Sequence, residues 1–443
     1  FSLLKLYSYK KHKKFFFNLI VSLLLGASAS AQESKKITLQ EAIDLSLANS
    51  HNLRISDLKI TEAIANVRAA KDHRLPEASV SASYLRLNSA NVNLASAPEG
   101  QGGPDINQAL YGLINVSYPI YTGGKLKYGV ESANYLEQAA RLSAANDKDA
   151  VVYNTIEAYT NLYKAGIAVN VIKENLQASG KRDTTFSRLE QNGLLARNDL
   201  LKAQLQTSNI SLALLDAESN LKLANVSMDL IMGLPENTMI EIDPVFLNES
   251  QQLSTIEDFT NKGLNLRKDV QALELQQKAA ANSVKIAKAD AYPSVALTGG
   301  YVAADIPGFI TISNAVNVGV GVKYNIASLW KTNTGQAKAE AMSLELQSSK
   351  DLLSDQIKLQ INRDYQNYLL SKQKINVYET AITQATENYR ITNNKYNNSL
   401  VTITDLLEAD VSLLQAKLNV SLAKADAALA YQKILKTTGS LSK

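Results

Sequence analysis

The residues 402–430 read in sevens as two apolar seams. One seam joins the column Ala409, Ala416, Ala423, Ala430 to the column Leu406, Leu413, Val420, Ala427. The other joins Leu407, Leu414, Ser421, Ala428 to Val411, Leu418, Ala425. At about 100° per residue the seams fall on nearly opposite flanks of a helix. A narrow polar line, Asp410, Lys417 and Lys424, separates them on one side, and a wider polar face that includes Glu408 and Ser412 on the other. A helix packed on one core carries a single apolar stripe. Two seams predict a helix with a neighbour on each flank and water in front and behind.

Strand segments alternate instead with a period of two. Val316, Val318, Val320, Val322, Tyr324 and Ile326 face one way, and Asn317, Gly319, Gly321 and Lys323 the other. Val80, Ala82 and Tyr84 alternate with serines, Val116 and Tyr118 with Asn115 and Ser117, and Val295, Leu297 and Tyr301 with Ala296, Thr298 and Gly300. About ten residues of such alternation mark a strand with one face to lipid and the other to a polar lumen. A hairpin packed on a soluble core gives the same pattern, but helices already occupied on both flanks are poor covers for a sheet.

The chain repeats itself. Tyr118 and Tyr324, Tyr159 and Tyr365, Asp199 and Asp405, Leu200 and Leu406, and Gly233 and Gly439 are each 206 apart. Upstream, Pro76 and Pro293, and Tyr84 and Tyr301, are 217 apart, so an insertion lies between Tyr84 and Tyr118, where the first copy carries the loop 95–105. Each copy predicts a helix (about 53–75 and 267–290), a proline that starts a strand, and a second strand. A very long helix (about 125–190 and 333–397) and a two-seamed helix (about 198–232 and 402–438) complete it. The expected organisation is a leader at 1–31, a first repeat at 32–233, a linker at 234–266 with a small helix near 254–263, and a second repeat at 267–443.

Charge and composition sharpen this picture. Lys10, Lys11, Lys13 and Lys14 precede an apolar run at 15–25 that ends in Ala29-Ser30-Ala31. That is the pattern of a secretory signal peptide. The formal net charge of +4 includes five lysines from residues 1–31, so the body of the chain is near −1 and nothing motivates a nucleic-acid partner. There is no cysteine. His51 and His73 stand alone, so no metal site is expected, and no catalytic constellation or cofactor motif appears.

Four strands cannot seal a cylinder, and open edges are not tolerated in a bilayer. The smallest bacterial barrels need about eight strands. Two copies would give a filled barrel. Three would give twelve strands and a water-filled lumen, which suits the polar, glycine-rich face.

The order of these motifs resembles the TolC-type outer-membrane efflux family over nearly the whole chain. The resemblance rests on 37-ITLQEAIDLSLANS-50, 69-AAKDHRLPEASVSASY-84, 118-YPIYTGGK-125, the segments 193–204 and 399–417, and the glycines Gly233 and Gly439. It implies a mostly α chain that forms, as a homotrimer, a 12-stranded outer-membrane β-barrel continuous with a long periplasmic α-helical barrel. It also implies a passive exit duct of a tripartite efflux or type I secretion system, not an enzyme. Its partners would be outer-membrane lipid, a periplasmic adaptor (membrane fusion) protein and an inner-membrane pump of RND, ABC or MFS type.

The resemblance assigns a pore or gate role to Asp405, Glu408, Asp199 and Tyr396. It assigns adaptor docking to the turns Gly193, Leu194, Leu195 and Ser399, Leu400, Val401. Acids in a first helical turn are also favoured by the helix dipole alone. Two features depart from the family. The exit 324-YNIASLWKTNTG-335 lacks the Gly-Gly turn and carries Trp330, the only tryptophan, where an interfacial anchor is useful. The arginine expected to partner Tyr396 falls at Val401, leaving Arg197 as a substitute. The rival reading is a non-conducting trimeric coiled-coil scaffold or adhesin, which predicts one seam per helix and few strands. A periplasmic adaptor would show a lipoyl-like β domain and a single hairpin.

Overall fold

The computed structural model describes residues 34–90, 106–248 and 253–441. The expected leader at 1–31 and the loop at 95–105 lie outside the described residues. Elements run in the order β1 (Ser34–Ile37), α1 (Leu39–Asn49), α2 (His51–Asp72), β2 (Glu77–Ala90), β3 (Ile106–Tyr121), α3 (Lys125–Gln191), α4 (Arg197–Met232) and β4 (Met239–Ile242). The second half follows with α5 (Ile256–Leu266), α6 (Lys268–Ala289), β5 (Ser294–Ile306), β6 (Ile310–Lys323), α7 (Thr334–Asn397) and α8 (Ile403–Thr437). The helix α3 alone has 67 residues, about 100 Å of helix. None of the described helices is long and apolar enough to cross a membrane.

The chain forms two compact units, and each draws on both sequence repeats. The unit made of 50–153, 252–371 and 430–443 holds a four-stranded antiparallel sheet in the order β2-β3-β5-β6. Pro76 and Pro293 end the turns that precede β2 and β5, where a missing N–H does no harm to the ladder. The two hairpins join through β3 and β5. Register then sorts the faces. Val80, Ile114, Tyr301 and Val316 form one row, and Ala78, Val116, Gly299 and Val318 the next. Tyr118, Leu297 and Val320 form a third, and Ala82 pairs with Gly112 and Tyr84 with Leu110. With Val322 opposite Val295, the residues expected to face lipid share one face.

The opposite face is polar at Ser79, Asn115, Gly300 and Asn317 but apolar one row on, at Leu113, Val302 and Ala315. Gly300 is fixed by space: a Cβ there would stand 2.5 Å from the Ile114 carbonyl oxygen. The lipid-type face carries two charges at its far end, Arg86, opposite Gln108, and Asp305, which accepts a 2.9 Å hydrogen bond from Thr311 Oγ1. A register shift near Val302 and Ala304 leaves Asn314 at φ 56°. The Asn314 N–H donates to the Tyr301 hydroxyl at 3.3 Å, so Tyr301 caps the bulge as well as lining the face.

The two strand exits differ. The first hairpin's β3 runs past Tyr118 to Tyr121 and turns through Gly123 and Gly124, at φ 64° and 87°. Tyr324 and Ile326 were expected to continue β6, but β6 stops at Lys323 and a one-turn 3-10 helix follows at Ile326–Leu329. Without glycines to take positive φ, the second copy leaves its sheet earlier and turns by a tighter helix.

In the other unit, made of residues up to 49, 154–251 and 372–429, β1 and β4 pair in parallel. They lie over a core of Ile37, Ala42, Tyr159, Leu162, Met228 and Met232. The Tyr159 hydroxyl donates to the Ile37 carbonyl at 2.8 Å and accepts from the Asp243 N–H at 3.1 Å, pinning the linker to α3. Burial pushes its pKa up to about 12. On α8, Leu406, Ala409, Ala416, Ala423 and Ala427 are buried, while Leu407, Leu414 and Leu418 are half-buried and Val411 is exposed. Asp410 departs from the solvated line expected for it: it is buried.

Candidate functional site at the helical tips

Two turns, α3 to α4 and α7 to α8, close the helical pairs. In the first, Gly193 takes φ 72°, its N–H donates to the Glu190 carbonyl and the Leu194 N–H to the Leu189 carbonyl. This is the left-handed helix end that satisfies the last carbonyls of α3. Leu194 and Leu400 project into solvent, 74% and 72% exposed. Leu195 and Val401 are half-buried instead, and Leu195 packs on a tip core of Phe186, Leu200, Ala203, Ile403 and Leu406. Ser399 is exposed, at φ 57°.

The acidic candidates divide by chemistry. Asp405 accepts from the Thr402 N–H at 2.8 Å and from the Thr402 hydroxyl at 2.7 Å, while the Asp405 N–H donates to Thr402 Oγ1 at 3.3 Å. That is a reciprocal capping box at the start of α8. These hydrogen bonds, first the hydroxyl and then the N–H, hold the Asp405 carboxyl below its usual range. Glu408 is exposed one turn on. Asp199 has no such cap: Ala196 precedes the helix α4 without a side-chain hydrogen bond, and Lys202 Nζ lies 3.4 Å from Asp199 Oδ1.

Tyr396 is half-buried with its ring centroid 5.6 Å from that of Phe186. Burial first, and the Asp199 charge second, raise its pKa. Arg197 does not take the role of its partner: Arg197 pairs with Glu190 at 3.4 Å.

Behind the tip lies a polar layer that pattern reading missed. Arg182 on α3 reaches Asp410 on α8 at 2.7 Å, with side chains only 10% and 7% exposed. Arg182 also donates to Ser179 Oγ at 3.3 Å, and Ser179 bonds Thr207 on α4. Asn175 approaches Asp410 at 3.5 Å. The signal was present as Asn175, Ser179, Arg182 and Asp183, spaced to share one face of α3. Only the folded chain shows that this face is buried. The layer is incompletely satisfied: Asn175 Oδ1, Arg182 Nε and Asp183 Oδ1 have no partner.

The outer membrane efflux protein family matches residues 42–234 and again 260–440. The chain belongs to this family. Membership gives the location and the broad task, efflux at the outer membrane, and the family is one of transport channels rather than enzymes. Relatives include the outer membrane protein TolC of Vibrio cholerae, 22% identical over 435 residues, with 96% of this chain and 95% of that protein covered.

Among solved structures, the outer membrane protein VceC of Vibrio cholerae matches at TM-score 0.77 and 19% identity, covering 90% of this chain and 96% of its own. The Campylobacter jejuni CmeC outer membrane channel matches at TM-score 0.77 and 19% identity, covering 91% and 87%. The mostly helical fold is therefore that of these channels. The relatives lend no support to the scaffold or adhesin reading.

Proposed function

We propose that three copies of this chain close one exit duct, which passively carries substrates delivered by an inner-membrane pump and a periplasmic adaptor to the exterior. The observation that carries this reading is the sheet. Its register gathers a nearly unbroken apolar face, yet β2 and β6 have no strand partner on their outer edges among the described residues. Backbone groups on such edges find no partner in lipid, so further copies must supply them. Three give twelve strands, beyond the roughly eight of the smallest barrels, and room for water. Leu201, Leu205, Leu212, Leu215, Leu223 and Leu230 on α4 are also exposed, as expected of a helix that awaits a neighbour.

In this reading 1–31 is a removed leader, and the repeats 32–233 and 267–443, joined by 234–266, contribute equally to the wall. The adaptor docks on the tip turns, chiefly through Leu194 and Leu400. Asp405, Glu408 and Asp199, repeated by symmetry, form an acidic ring at the narrow end, and Tyr396 braces it. The chain itself performs no bond chemistry; the energy comes from the pump. The test is reconstitution of the purified chain into planar bilayers. Discrete conductance from a detergent-stable trimer is expected; an insulating bilayer or a monomer overturns the reading. In the same assay Asp405→Ala with Glu408→Ala should relieve block by multivalent cations, and unchanged block removes the ring from the account.

A further inference from the structure

The four helices α2, α3, α6 and α7 all leave the sheet at the same end, the end of Glu77, Tyr121, Ser294 and Lys323. Within two helical turns of that end lie the segments 66–77, 121–131, 283–294 and 323–340. They hold ten lysines and arginines against five carboxylates, a net +5. The body of the chain, by contrast, is near −1 once the five leader lysines are set aside. The cations are exposed. Among the described residues, ion pairs engage two of the ten, Lys125 with Asp290 at 2.8 Å and Lys288 with Glu340 at 3.6 Å. Exposed aromatic rings are interleaved with them: Tyr121, Tyr292, Tyr324 and Trp330, the last 70% exposed. Lys285 lies 5.0 Å from the Tyr128 ring centroid.

We infer that this collar binds anionic phospholipid headgroups of the leaflet that meets the sheet's helix-bearing end. The inference rests on the membrane reading of the sheet proposed above. Two observations choose this occupant. The collar continues the apolar face directly, since Val322 and Val295 adjoin it, so acyl chains and headgroups meet the protein in that order. Its charge has the sign complementary to phosphate, at the place where aromatic rings with polar tips settle between hydrocarbon and water. Flexible lysine stems over that rim can carry their ammonium groups to the phosphate plane while covering apolar surface.

Trp330 supplies the probe, because it is the only tryptophan. The full chain is reconstituted into mixed phosphatidylethanolamine and phosphatidylglycerol vesicles in which one lipid or the other carries brominated acyl chains. Brominated phosphatidylglycerol should quench Trp330 several-fold more effectively than the same fraction of brominated phosphatidylethanolamine. The excess should shrink at about 0.5 M salt, where exposed charges are screened. Lys127→Gln with Lys331→Gln should remove most of that several-fold preference at low salt, leaving quenching by phosphatidylethanolamine in place. Equal quenching by the two lipids, or a preference indifferent to salt and to the variant, overturns the collar while leaving the membrane sheet intact. Absence of quenching by either lipid overturns both.

Discussion

At Gly193 and at Ser399, 206 residues apart, the chain enters the left-handed region and closes its turn with the same two backbone hydrogen bonds. The residues that follow do different work. Thr402 and Asp405 lock the start of α8 in a capping box. Their counterparts, Ala196 and Asp199, leave α4 without a side-chain cap and free the Asp199 carboxylate to face Lys202. Further back, Asp410 is buried against Arg182, whereas its counterpart Gln204 is exposed. Duplication has kept the backbone path and the buried leucines and alanines. The polar positions, which do not fix the path, have diverged, so the second hairpin holds its first-turn acid in a capping box and the first pairs its own with a lysine.

Breaking the buried pair should separate the copies most. Asp410→Ala strands the Arg182 guanidinium and should cost about 3–5 kcal/mol in denaturant unfolding. Gln204→Ala, at the matching exposed site, should stay within about 0.5 kcal/mol. A similar loss from both would show that the pair is not what separates them.

Asp229 offers a second contrast, since its counterpart is Leu435. Burial, opposed by the Asn225 hydrogen bond and helped by the Glu236 charge, pushes the Asp229 carboxyl up to about 6 from 3.8. Across that window the folded chain holds a proton that the unfolded chain has lost, so stability should fall as pH rises from about 4 to about 6. Asp229→Asn should flatten this part of the stability profile, and an unaltered slope assigns it to other groups.

Smaller effects probe the turns. Thr402→Ala should cost about 1 kcal/mol by unmaking the cap, and Ala196→Thr should recover part of that amount in α4. Ser399→Gly should add up to about 1 kcal/mol by relieving the left-handed strain, and Gly193→Ser should lose a similar amount. Thermal unfolding of the four single variants reads all of these signs.

Much of the architecture was legible because it is periodic. The valines of β6, the paired prolines before β2 and β5, and the heptads of α8 each announce an element within their own segment. The strands β1 and β4 escaped because each is four residues long and their pairing spans some 205 positions. Asp410 looked solvated for a related reason: its partner Arg182 is 228 residues away, and only packing brings them together. The early end of β6 was hidden by the repeat itself. Tyr324 matches Tyr118 in sequence, but without glycines after it the backbone could not follow the first copy's exit.

The bare rims of β2 and β6 also bear on how the cell makes such a conduit. If no subunit is finished until two others arrive, output scales with roughly the third power of subunit supply when copies are scarce, and modest changes in synthesis become steep changes in traffic. A copy with one spoiled rim, for instance a proline set into β6, would do more than fail alone. It would occupy a place in the ring and silence the sound copies beside it, so such an allele should act dominantly.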